Sequence, residues 1–119
     1  MEFNFDNERP IYVQLVEQLE KCIVTGHYKP GTRLPSVREL AATTKVNPNT
    51  MQKALVELET SHLIYTERTN GKFVTEDTQL IKERGQKFAR EKAIKYLNDM
   101  SELGYSKDEA VDYLNNLGE

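Results

Sequence analysis

"LPSVRELAATTKVNPNTMQKAL", residues 34–55, contains two helix starts in one short stretch. Ser36 is followed three residues later by Glu39. That spacing forms a capping box, in which hydroxyl and carboxylate each satisfy a backbone N–H that the helix leaves orphaned. Val37, Leu40 and Ala41 give this first helix its inner face, and the pattern runs out around Thr43–Lys45. Asn47 is then a good N-cap, and Pro48 suits the first helical position, where no amide hydrogen is needed. Met51, Ala54, Leu55 and Leu58 recur at helical spacing as a buried stripe, with Asn49, Thr50, Gln52 and Lys53 on the opposite side. Two helices joined by so tight a turn predict a helix-turn-helix.

The second helix begins unusually for one on a protein surface. No carboxylate appears after Asn47 until Glu57, although the positive end of the helix dipole stabilises acids in the first turn. A helix that enters a major groove by its N-terminal end faces phosphates on both sides, and those exclude acids. Asn and Gln pair bidentately with adenine, and Thr touches a thymine methyl or a phosphate. With no arginine on this helix, direct readout is expected to favour A·T-containing sites.

Upstream, Pro10 opens a helix in which Ile11, Leu15, Leu19 and Ile23 recur every fourth residue beside Tyr12 and Val16. Gly26 ends it, "HYKPG" is a turn, and "TRL" suits a very short strand. Downstream, "YTER" and "KFVTE" are β-prone runs separated by Thr69-Asn70-Gly71, and Asn-Gly at such a place is a strong hairpin signal. Three helices followed by a hairpin make a winged helix-turn-helix, assigned to residues 9–76.

Residues 77–119 change character. A long charged helix over residues 79–100 carries Ile81, Phe88, Ala89, Ala93, Tyr96, Leu97 and Met100 along one side, with Gly85 as a weak point. Gly104 stops it, and a second capping box, Ser106 with Glu109, starts a last helix containing Ala110, Val111, Leu114 and Leu117. The fold class is therefore mainly α with a small β-hairpin, an N-terminal winged helix-turn-helix plus a C-terminal two-helix tail. Such a tail buries too little surface to stand alone, so it needs a partner. Ile81, Phe88, Tyr96, Leu97 and Leu114 are expected to form a dimerisation face. The alternative is that Phe88, Tyr96 and Leu97 pack on the winged domain of their own chain.

The chain's net charge is −3, which argues against a generic nucleic-acid binder, so any affinity must come from placement. Residues 80–97 hold six bases and two acids, whereas residues 98–119 hold one base and six acids. The acidic N-terminus lacks a signal-peptide layout and no apolar run is long enough to span a bilayer, so a cytoplasmic location is expected, without membrane contact. The single cysteine, Cys22, lies within the apolar pattern of the first helix and is expected to be a buried small hydrophobe. His27 and His62 have no metal-ligand spacing, no phosphate-loop glycine motif occurs, and Ser36 has no histidine constellation. No enzyme, metal site or cofactor is expected.

"PIYVQLVEQLEKCIVTGHYKPGTRLPSVRELAATTKVNPNTMQKALVELE", followed by "TNGKFV", resembles the DNA-binding domain of the GntR family of bacterial transcription regulators. "PGTRLPSVRELA" is its most specific part, and the match runs from about Pro10 to Val74. The short helical tail is similar to that of the YtrA-like subfamily, whose tails serve dimerisation and whose members are commonly repressors near genes for ABC-type transporters. The resemblance implies a homodimer that binds double-stranded operator DNA. It implies DNA contacts from Ser36 and Arg38 at the start of the second helix, from Asn49, Thr50, Gln52 and Lys53 on the third, and from Asn70, Gly71 and Lys72 at the wing tip. Pro48 stands where many relatives have an arginine, and Thr69 where the wing often has its first glycine.

Two rivals come from other classes. A winged helix that docks a protein predicts apolar residues on the outer face of the third helix, where only Val56 qualifies. A ligand-sensing repressor needs a pocket of several hundred Å³, for which the tail alone is short, leaving a dimer interface as the place for one. The sequence identifies no effector.

Overall fold

The computed structural model describes residues 2–118. The elements run α1 (Ile11–Val24), α2 (Val37–Thr44), α3 (Pro48–Thr60), β1 (Ile64–Glu67), β2 (Gly71–Val74), α4 (Thr78–Glu102) and α5 (Lys107–Asn115). They form two compact units, Met1–Gly85 and Gln86–Glu119. The expected boundary after residue 76 falls between elements, whereas the first unit extends to Gly85 because the first two turns of α4 supply Ile81 and Leu80 to its core.

The first unit is built around α1 and α3. Leu15, Leu19 and Ile23 from α1 meet Met51, Ala54, Leu55 and Leu58 from α3, and all seven are buried. Cys22 is buried beside them, and burial pushes its thiol above the ordinary value, so it stays protonated and unreactive at neutral pH. Leu40 and Ala41 of α2 and Leu63, Ile64 and Val74 of the hairpin close the core. Fully burying side chains of this size contributes roughly 1.5–3 kcal/mol each, which is why short helices with few internal turns hold together here.

Both capping boxes form. Glu39 N donates to Ser36 Oγ at 3.1 Å while Ser36 N donates to Glu39 Oε1 at 3.0 Å, and Ser106 with Glu109 repeats the arrangement. Asn47 caps α3 by accepting from Asn49 N at 2.8 Å, with Pro48 at the start of the helix. Between α2 and α3, Lys45 adopts left-handed backbone angles (φ 58°, ψ 42°), and Val46 N bonds to Ala41 O. A side chain in that region costs about 1–2 kcal/mol. Glycine removes this cost but adds about 0.4–1 kcal/mol of unfolded-chain entropy. Lys45→Gly is therefore expected to stabilise the unit by roughly 0.5–1 kcal/mol, seen as a higher urea midpoint at unchanged slope. A lower midpoint would show that the lysine side chain has a structural role.

The wing hairpin is antiparallel, with Ile64 opposite Val74 and Glu67 opposite Gly71. The expected "TRL" strand appears as one bridge, Arg33 to Phe73, flanked by Leu34 N→Lys72 O at 2.8 Å and Val74 N→Thr32 O at 2.9 Å. The hairpin connection is Arg68–Thr69–Asn70, none of which has positive φ, and Gly71 directly after it does (96°). The expected connection, Thr69-Asn70-Gly71, is shifted by one residue because Gly71 already pairs with Glu67 in the ladder. The connection keeps three residues and uses the glycine to re-enter the strand.

Two features of the first unit go beyond the sequence reading. The N-terminal arm lies along α1, held by two glutamines. Gln18 exchanges both amide bonds with the backbone of Asn4 (3.1 and 2.7 Å), and Gln14 does the same with Asp6 (2.9 and 3.1 Å). Phe3 and Phe5, alternating with those residues, pack on the core. At the other end, Gly85 lets α4 approach α1, since a Cβ there would sit 2.9 Å from Val24 Cγ1. Arg84, next to it, forms an ion pair with Glu20, whose side chain is almost wholly buried.

In the second unit the rest of α4 and α5 form a helical hairpin. Tyr96 donates its hydroxyl to Ala110 O at 2.7 Å, and Ala110 is buried. No helix among the described residues is long and apolar enough to cross a membrane.

Candidate nucleic-acid interface

The buried stripe of α3 fixes which side of the helix faces outward. With Met51, Ala54, Leu55 and Leu58 turned in, Asn49, Gln52 and Lys53 are exposed and Thr50 is half-buried. No acid stands in the first turn of α3. The exposed side therefore presents amide donors and acceptors, a hydroxyl and an ammonium, all of which match base edges and phosphates. Lys53 is not a freely solvated lysine. Its Nζ stands 3.9 Å from the centre of the Tyr12 ring on α1, a cation–π contact that restrains the side chain before any partner arrives.

Ser36 and Arg38 are exposed at the start of α2. The Ser36 hydroxyl accepts from Glu39 N, which leaves its own O–H to donate outward. Capping and a phosphate contact are thus compatible at this residue. The Glu39 carboxyl is held below its ordinary value, first by the Ser36 backbone N–H and side chain and then by the charge of Arg33.

The wing residues divide. Asn70 closes the hairpin, donating its backbone N–H to Glu67 O at 3.2 Å and its side-chain amide to Glu67 Oε2 at 3.2 Å. Gly71 supplies the positive φ. Lys72, expected at the tip, turns back toward the protein. Its Nζ forms an ion pair with Glu59 at the last turn of α3 and donates to Thr66 Oγ1 at 3.0 Å, while Thr66 Oγ1 donates to Glu59 Oε1 at 2.7 Å. Strand alternation causes this, because Lys72 shares a face of β2 with the wholly buried Val74. Bonds from Lys72 and Thr66 hold the Glu59 carboxyl below its ordinary value. That stabilisation is complete above the usual glutamate range and is lost as pH falls through the lowered value.

The expected dimer-face residues also separate. Ile81 belongs to the core of its own chain, packed in the first unit, and this corrects its placement on a dimer face. The helical period assigned it correctly to the apolar side of α4, but that side faces the winged domain at this level. Tyr96 bonds within its own hairpin, Phe88 and Leu97 are half-buried, and Leu114 is exposed. Among the described residues no cluster of three or more His, Cys, Asp or Glu could hold a metal ion.

The family model described as bacterial regulatory proteins, gntR family, matches residues 11–74, more than half of the chain. The chain belongs to the GntR family. It is 38% identical over 112 residues to the uncharacterized HTH-type transcriptional regulator YhcF of Bacillus subtilis, covering 94% of this chain and 93% of that protein. It is 44% identical over 70 residues to the HTH-type transcriptional repressor YtrA of the same organism, over 59% of this chain and 54% of that one. Among solved structures, a GntR family transcriptional regulator from Listeria monocytogenes superposes with a TM-score of 0.87 at 40% identity, covering 93% of this chain and 97% of its own. As a GntR member the protein is a DNA-binding transcriptional regulator with a winged helix-turn-helix, in a family of regulators rather than enzymes.

Three residues at this surface escaped the sequence reading. Tyr12 is grouped with the apolar residues of α1, Arg33 lies in the expected "TRL" strand, and Glu59 has no assigned role. Only Glu59 carried a usable signal: an acid at the end of α3, just before the wing, can pair with a wing cation such as Lys72.

Proposed function

We propose that this GntR regulator is a homodimeric repressor that reads an operator of two half-sites, with the N-terminal end of α3 in the major groove and Ser36 and Arg38 on the adjoining backbone. The acid-free first turns of α3 carry this reading, because they set Asn49, Gln52 and Lys53 outward where an ordinary surface helix would hold carboxylates. Repression and a place among YtrA-like regulators draw support from the similarity to the YtrA repressor. A transporter operon is the regulated set that this resemblance suggests, and the cytoplasm is where such a regulator meets DNA.

Dimerisation is supported by what the second unit leaves uncovered. Leu103, Val111, Tyr113, Leu114 and Leu117 are exposed, and an open hollow of about 470 Å³ on α5 is lined by Glu109, Asp112, Tyr113, Asn116 and Leu117. A hairpin whose fully buried apolar residue, among the described residues, is Ala110 alone gains most of its stability from a partner. The basic stretch of α4 and the acidic α5 give a second copy complementary charge to dock against.

Fluorescence-anisotropy titrations on the region upstream of the gene test the proposal, with scrambled duplex as control, a salt series and Arg38→Ala in parallel. The expected result is binding at least 10³-fold tighter to the operator than to the control, with affinity falling steeply as salt rises. Arg38→Ala is expected to lose about 10-fold or more on the operator. Equal affinity for both duplexes, untouched by the substitution, would leave the winged helix as a protein-docking module.

A further inference from the structure

Lys72 is the cation that sequence position offers to DNA from the wing, but the geometry removes it from that task. Its ammonium is held by Glu59 and Thr66, its side chain is only 17% exposed, and moving it outward would strip Glu59 of its counter-ion. Arg33 occupies the vacated place. Its backbone is tied into the edge of the sheet by the bridge to Phe73 and by the bonds of Thr32 and Leu34 on either side. Its side chain is exposed and passes over the wing glycine, with Nε 3.2 Å and Nη2 3.4 Å from where a Cβ on Gly71 would sit. Among the described residues it forms no ion pair. Glu39 feels its charge but is already bonded to Ser36, and Glu67, which also lines the cleft, accepts from the Asn70 amide. The guanidinium lines a cleft of about 300 Å³ between the wing and the start of α2, with Ser36 and Arg68 also on its walls. A planar cation lying against a glycine peptide has little rotamer freedom left to lose on binding.

We propose that Arg33, not Lys72, is the residue that sets a positive charge against a DNA phosphate on the wing side of the interface, and that Glu59, Lys72 and Thr66 form a strut that holds the wing at its angle to α3. This inference rests on the DNA-binding reading above. It also gives Gly71 a second function, since a side chain there would displace the guanidinium.

Salt slopes separate the two lysine and arginine roles. Each phosphate contact released contributes about 0.9 to the slope of log affinity against log salt. On an operator bound specifically by the wild type, Arg33→Ala is expected to flatten the slope by about 0.9 and to weaken binding to operator and random duplex by the same factor. Arg33→Gln keeps a planar amide over Gly71 without the charge and should show the same flattening, which excludes a folding defect. Lys72→Met should weaken binding while leaving the slope at its wild-type value. An unchanged slope in both Arg33 variants, or a loss of about 0.9 in Lys72→Met, would overturn the assignment. Should Arg38→Ala abolish specific binding while Arg33 proves silent, only this inference fails. If the wild type itself does not distinguish operator from random DNA, the reading beneath it fails too.

Discussion

Asn49→Asp is expected to reduce operator affinity by about 30- to 100-fold while leaving the protein at least as stable as the wild type. The exchange is isosteric, so packing and helix length do not change. At its position in the first turn of α3, next to the cap provided by Asn47, a carboxylate interacts favourably with the helix dipole and contributes about 0.3–1 kcal/mol to the helix. On DNA the same charge faces phosphates, and the amide donor that an adenine or phosphate would accept is gone. Losing one good base contact costs about 1–3 kcal/mol, and the like-charge term adds to it. Stability and affinity therefore move in opposite directions. A drop in both would mean that Asn49 has a structural role, and no change in affinity would take α3 out of the groove.

Arg84→Ala is expected to destabilise the protein by about 3 kcal/mol in urea unfolding, a large share of a small domain's stability. Glu20 stays buried in α1 when the guanidinium is removed, and breaking a buried ion pair is costly in low dielectric. The pair is a linchpin of placement rather than a source of net energy. The double variant Glu20→Leu with Arg84→Leu, which fills the same space with apolar groups, should return to within about 1 kcal/mol of the wild type. A double variant no better than the single would show that the pair itself, with its hydrogen bonds, outweighs apolar packing at this site.

What the sequence made legible is whatever local chemistry decides. Ser36 with Glu39, Asn47 with Pro48, and Ser106 with Glu109 set three helix starts, and each forms as its spacing predicts. The stripe from Met51 to Leu58 fixed the outward side of α3 and hence the candidate reading face. Non-local geometry was not legible. Period alone put Ile81 on the apolar side of α4 but could not say which apolar surface that side would meet. Asn70-Gly71 marked a hairpin, yet the wing turns through Arg68–Asn70, because tertiary ties from Thr32 and Leu34 set the register of β2. That register points Lys72 inward and leaves Arg33 over the wing. The arm was missed because its partners are side chains: Gln14 and Gln18 act as a surrogate strand for Asn4 and Asp6, a pairing without sequence periodicity of its own.

The most direct test of sequence-specific reading by a dimer is selection of bound duplexes from a random pool by the wild-type protein. Enrichment of two inverted half-sites is expected, with centres about 10 bp, or a multiple of that, apart and A·T pairs prominent where the start of α3 contacts the groove. A pool that stays random after repeated rounds, or one that converges on a single unrepeated half-site, would contradict it.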